Sequence, residues 1–188
     1  MKELLIYLLA MIFTLNVSVR KTKQWYINHI KPGNYILKDS CQISILKNYN
    51  EINSISELLK SFKNKLVFID MWATWCTPCV EEFEYSKPLY DYLSKNNIDM
   101  VYVSLDKEQN DSVWKEKINA SQLFGFHVRA SKPLQDSLTT LIWGAVDAYS
   151  IPHYLLFGKN GKLVNKDVLP PHSGIELFNQ IDADLIKN

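Results

Sequence analysis

An apolar run, Leu66-Val67-Phe68-Ile69-Asp70-Met71-Trp72, leads through Ala73-Thr74-Trp75 into Cys76-Thr77-Pro78-Cys79 and then into a segment with helical spacing. The run fits a buried strand. Pro78 is tolerated in a helix only in the first turn, where its missing N–H is not needed, so the strand must end before Cys76 and the helix begin there. That order puts the first thiol at a helix N-terminus, where unpaired backbone N–H groups and the helix dipole stabilise a thiolate. A Cys-x-x-Cys pair can also be half of a zinc site, but that requires a second Cys pair or a well-spaced His pair, and the sequence has neither. Cys41 or His153 could complete such a site only in an unusual geometry. The chain has three cysteines, too few for a disulfide scaffold, and Cys41 reads as a buried free thiol without an intramolecular partner.

With 188 residues the chain can bury a substantial core as one domain with short appendages. Lys and Arg number 21 against 20 Asp and Glu, giving a net charge of +1, and no basic block suggests a nucleic-acid surface. Leu4 to Val19 is almost wholly apolar, preceded by Lys2 and followed by Arg20, Lys21 and Lys23. Residues 1–24 therefore read as an export signal or membrane anchor. The apolar stretch is longer than most signal-peptide cores and shorter than the ~20 residues that span a bilayer, and it lacks a small-x-small cleavage site. The downstream positive cluster favours a cytoplasmic flank, in conflict with export, and a buried N-terminal helix is the competing reading.

Residues 25–63 read as an extension holding a β-hairpin, Tyr35-Ile36-Leu37 and Ile43-Ser44-Ile45-Leu46, followed by a short helix capped by Ser54 or Ser56 and running through Phe62. The helix from Cys76 is expected to continue to about Leu93, kinked or interrupted at Pro88. Asp99 to Leu105 reads as a buried strand, Asp111 to Ile118 as a helix, Phe126 to Val128 as an extended piece, and Pro133 to Trp143 as a second helix. His153 to Phe157 and Lys162 to Val164 form a hairpin about Gly158-Lys159-Asn160-Gly161, and Gly174 to Ile186 is helical.

Asp70-Met71-Trp72-Ala73-Thr74-Trp75-Cys76-Thr77-Pro78-Cys79, the distant Ser150-Ile151-Pro152-His153 and the hairpin at Lys159-Asn160-Gly161-Lys162 together resemble thioredoxin, more narrowly the TlpA/ResA-like thiol-disulfide oxidoreductases. The resemblance covers residues 64–188, the expected thioredoxin-like domain, and leaves residues 1–50 uncovered. It implies an α/β thioredoxin-like fold with a central mixed β-sheet flanked by helices, to which the N-terminal apolar helix and hairpin are added, and a cis Pro152 beside the dithiol. Thr77 replaces the Gly or Glu frequent at its position, and Glu84 stands where the family usually has proline.

The resemblance also implies roles. Cys76 is expected to be the exposed attacking thiol and Cys79, one turn in, the shielded resolving thiol. Asp70 matches the family's buried acid, and burial should raise its pKa toward that of a proton acceptor; the alternative is a strand-end aspartate reaching solvent. Glu82 shares a helix face with Cys79 and is expected to manage protons, against the plainer reading of a solvated glutamate flanked by Glu81 and Glu84. Trp75, Thr77, Pro78, Ile151 and Pro152 are expected to contact substrate, with the backbone at Ile151 and Pro152 offering strand-like hydrogen bonds to an extended segment.

The expected reaction is electron exchange with protein disulfides, as a reductant in the bacterial envelope. It requires no cofactor beyond the Cys76–Cys79 pair and no metal. The expected partners are disulfide or dithiol substrates and an upstream thiol reductant, with no nucleic acid. The protein is expected to be a monomer in the periplasm, anchored to the inner membrane through its N-terminal segment, with the cytoplasm as the alternative. Two other functions fit the same residues: a metal-handling module using Cys76, Cys79 and His153, and a thiol peroxidase with a single peroxidatic cysteine, against which the adjacent Cys79 argues.

Overall fold

The apolar run before the cysteines forms strand β2, Leu66–Trp72, buried at every position after Leu66 in the computed structural model, which describes residues 42–145 and 149–187. The remaining strands are β1 (Ile43–Ile45), β3 (Ile98–Ser104), β4 (Gly125–Arg129), β5 (His153–Phe157) and β6 (Leu163–Asn165). They form one sheet in the order β1-β4-β3-β2-β5-β6. The β1–β4, β4–β3 and β3–β2 pairs are parallel, whereas β5 runs antiparallel to β2, and β6 antiparallel to β5. β2 and β3 occupy the middle of this mixed sheet and are covered on both faces, which is why their sequences read as near-continuous apolar runs rather than as alternation.

The helices are α1 (Ile55–Lys60), α2 (Thr77–Glu82), α3 (Ser86–Lys95), α4 (Asp111–Ala120), α5 (Lys132–Trp143) and α6 (Ile175–Ile186). Their boundaries follow from local chemistry. Ser54 caps α1 and Ser131 caps α5, each side chain accepting a first-turn N–H at 3.2 Å. Gly144 ends α5 with φ 75°, the left-handed conformation glycine adopts most cheaply. Gly125 is needed for a different reason: a Cβ there would lie 2.7 Å from the Met100 carbonyl oxygen, and its φ is +136°.

One expectation is corrected. The helix after Cys76 does not kink at Pro88. It breaks earlier, where Phe83–Tyr85 forms a 3-10 turn between α2 and α3. Pro88 falls in the first turn of α3, where no intrahelical N–H bond is lost, so the ring is accommodated without a kink. The second run of the expected hairpin, Ile43–Ile45, pairs in parallel with β4 as an edge of the main sheet. Its expected partner, Tyr35 to Leu37, lies outside the described residues, as do Cys41 and the apolar segment Leu4 to Val19. Among the described residues no helix is long and apolar enough to cross a membrane.

A charged cluster joins the β1 side of the sheet to α4. Asp111 accepts from the Tyr49 hydroxyl at 2.5 Å and from Arg129 Nε at 3.1 Å, and pairs with Lys115 at 2.6 Å. Burial pushes the Asp111 carboxyl up, but hydrogen bonds from Lys115, Tyr49 and Arg129 outweigh it and hold the group down at about 2.

Candidate active site

Cys76 is the N-cap of α2, and its Sγ accepts the Cys79 N–H at 3.2 Å. The two sulfurs are joined as a disulfide. The approach to Cys76 is shaped by a short loop in which the Cys76 N–H donates to the Ala73 carbonyl at 3.1 Å. This loop is fixed from below by Asp106, which follows β3 and is 1% exposed. Asp106 accepts from the Thr74 N–H at 2.9 Å, the Thr74 hydroxyl at 2.6 Å and the Ser104 hydroxyl at 2.7 Å.

The Ile151–Pro152 bond is cis, and the Ile151 carbonyl oxygen lies 3.7 Å from Cys76 Sγ, placed to accept from the thiol once the disulfide is reduced. That carbonyl and the disulfide partner cover much of Cys76. The residue is 5% exposed and Cys79 1%, so the expected contrast between an open and a shielded sulfur is narrow. Around the pair, Trp75 is 54% exposed, Thr77 and Pro78 are exposed, and Ile151 and Pro152 are half-buried. Trp72, by contrast, is fully buried and packs edge-on against Phe83 at 5.1 Å.

Asp70 does not reach solvent. It is 3% exposed in β2, and its Oδ1 is buried without a hydrogen-bond partner. Burial raises the Asp70 carboxyl well above the usual aspartate value, and the nearby Glu82 charge adds to the rise. Glu82 is itself held at two points by His172, whose N–H donates to Oε2 at 3.0 Å and whose Nδ1 lies 2.5 Å from Oε1. This is not the free, solvated glutamate of the plainer reading, since its side chain is only 13% exposed. His153 stands at the start of β5 against Trp143, 4.9 Å between ring centroids, and burial lowers its pKa.

Neither Asp106 nor His172 is marked in the sequence. Each acts on a residue far away in the chain, and neither belongs to a recognisable spacing. Among the described residues, no group of three or more His, Cys, Asp or Glu side chains is arranged to hold a metal.

A mixed sheet with three parallel neighbours and an antiparallel hairpin, bearing a Cys-x-x-Cys disulfide at a helix head beside a cis-proline, defines a thioredoxin-like α/β protein. The Redoxin family model matches residues 43–185, and the chain belongs to that family, within the thioredoxin superfamily. It is 29% identical over 108 residues to the thiol-disulfide oxidoreductase ResA of a Bacillus cereus strain, and 31% identical over 108 residues to that of Bacillus anthracis. The aligned part is 57% of this chain and 57% of each of those relatives. A solution structure of a thiol:disulfide interchange protein from Bacteroides sp. superposes with a TM-score of 0.53 at 26% identity, covering 66% of this chain and 76% of that one. The thioredoxin domain of a Bacteroides vulgatus thiol-disulfide oxidoreductase gives 0.52 at 24% identity, covering 66% and 82%, and shares the fold.

Proposed function

We propose that this protein is a thiol-disulfide oxidoreductase that reduces protein disulfides through Cys76 and Cys79. The observation that carries the reading is the Cys76–Cys79 disulfide at the head of α2, with the Ile151 carbonyl against Cys76. In the reduced protein the Cys76 thiolate attacks a substrate disulfide and one substrate sulfur leaves with the electron pair. Cys79 then attacks Cys76 in the mixed disulfide, releasing the second substrate sulfur as a thiol and leaving the enzyme pair oxidised. A thiol reductant from outside must restore the dithiol.

Asp70 serves as the buried proton acceptor for Cys79, supported by its burial and raised pKa, and Glu82 manages the exchange of protons with solvent. Trp75, Thr77 and Pro78 supply the exposed rim, while Ile151 and Pro152 supply backbone for an extended substrate segment. The reaction takes place in the bacterial envelope, where the apolar segment Leu4 to Val19 exports or anchors a monomeric domain; support for this is the segment's length and composition. Cys79→Ser, expressed in cells, should trap a substrate through Cys76 as a mixed disulfide that dithiothreitol releases, and Cys76→Ser should trap none. Equal trapping by both variants, or trapped partners drawn only from the cytoplasm, would sink the redox or the envelope part of the reading respectively.

A further inference from the structure

A row of polar side chains crosses the sheet on the face that carries Asp70. The registers align His127 in β4 with Tyr102 in β3, Tyr102 with Asp70 in β2, and Asp70 with Tyr154 in β5. Residues aligned in this way on neighbouring strands share a face and touch along it. All four are buried, at 0%, 1%, 3% and 3% exposure in that order. Buried polar atoms in folded proteins are nearly always hydrogen-bonded. Here the Tyr102 hydroxyl, Asp70 Oδ1 and the Tyr154 hydroxyl, on three adjacent strands, have no protein partner.

Phenylalanine would fill the same volume at either tyrosine position without burying an unpaired oxygen, so core packing alone does not account for the hydroxyls. Ser86 donates its hydroxyl to the Phe83 carbonyl at 2.8 Å and reaches Tyr102 only beyond normal hydrogen-bond distance, where it tempers the rise that burial gives the phenol. His127 is occupied with the Leu123 carbonyl at 2.8 Å, and its ring stacks on Tyr102 with centroids 4.9 Å apart and planes 3° from parallel, propping that ring in place. A phenol stands taller on a sheet than a carboxyl, and the register places one ring on each side of Asp70.

We propose that Tyr102 and Tyr154 are positioning residues for the Asp70 proton: when Asp70 is ionised their hydroxyls donate to its carboxylate, a contact not made in this structure, and keep it able to accept a proton. The inference rests on the dithiol exchange proposed above. In the resolving step the Cys79–Cys76 bond forms and the Cys76–substrate bond breaks. The electron pair leaves on the substrate sulfur, which is thereby reduced, and the Cys79 proton passes to Asp70. Burial and the Glu82 charge raise the Asp70 carboxyl and so favour its protonated form, in which it cannot accept another proton. Two donors to its charged form counter that. Both phenols remain protonated and able to donate, since burial, followed by the Asp70 charge, pushes each above the usual tyrosine value.

The titratable groups around Asp70 are Glu82 from α2, itself bound to His172, Tyr102 from β3 and Tyr154 from β5. Behind Tyr102 stand His127 from β4 and Tyr90 from α3. Carbon-13 NMR of the Asp70 carboxyl, assigned by its loss in Asp70→Asn, gives the protonation midpoint directly in the full chain. Tyr102→Phe and Tyr154→Phe, which keep the rings, should each raise that midpoint by about one pH unit. At neutral pH, decay of the mixed disulfide should slow several-fold while its formation by Cys76 is unchanged. A midpoint that stays or falls overturns the assignment for that tyrosine. If instead the wild-type protein forms no mixed disulfide, the redox reading itself fails, a result that the carboxyl titration neither causes nor conceals.

Discussion

Asp70 makes stability depend on pH in a direction opposite to that of most aspartates. Its folded-state pKa is raised, by burial first and then by Glu82, so the folded protein holds a proton that the unfolded chain has released. The stability associated with that proton is fully present below the ordinary aspartate value of about 3.9 and is lost as pH rises through the folded value. In that window the loss approaches about 1.4 kcal/mol for each pH unit. Asp70→Asn, which cannot ionise, should match the wild type in urea denaturation near pH 4 and exceed it by a margin that grows until pH passes the folded-state value. The same variant should resolve mixed disulfides more slowly at neutral pH. Parallel stability curves for the two proteins would mean that the carboxyl is solvated and not the buried acid described above.

The loop from Ala73 to Trp75 depends on an element outside it. Asp106 gathers three hydrogen bonds at the end of β3, two of them from Thr74, and so ties the turn that presents Cys76 to the centre of the sheet. Asp106→Ala leaves the Thr74 N–H, the Thr74 hydroxyl and the Ser104 hydroxyl without their acceptor. It should cost about 3 kcal/mol or more, while Thr74→Val, which removes one donor, should cost about 1 kcal/mol. Equal and small losses in chemical denaturation would show that the loop holds itself. Such ties mark where the sequence stopped being legible. The Leu66–Trp72 strand, the start of the helix just after Cys76 and the end of a helix at Trp143 are local signals, and they fall where local chemistry puts them. Pro88 misled because the effect of a proline depends on its position in the turn, and the 3-10 break at Phe83–Tyr85 that resets the helix has no sequence mark. The Thr74–Asp106 and Glu82–His172 contacts, and the alignment of Tyr102 and Tyr154 on Asp70, require the sheet to be assembled before they exist.

The described residues from Gln42 onward close a core of their own, with β1 as one edge of the sheet and β6 as the other. β1 shields the outer edge of β4: the Leu46 N–H donates to the His127 carbonyl and the Gly125 N–H to the Gln42 carbonyl, each at 3.0 Å, while Ile43 packs on the core. Without it, β4 would present an unpaired edge, and the polar row would begin on that edge strand, at His127. A chain beginning at Gln42 should therefore unfold in a single transition and keep dithiol exchange. A chain beginning at Lys47 should lose about 2 kcal/mol or more from exposed apolar surface and unpaired edge bonds. Hydrogen exchange locates the loss, because amides of β4 should become labile in the shorter chain while those of β2 stay protected. If β2 exchanged as fast as β4, β1 would be part of the cooperative core and not a cover for its edge. The Asp70 site would then depend on the whole sheet for its dryness, and not only on the strands beside it.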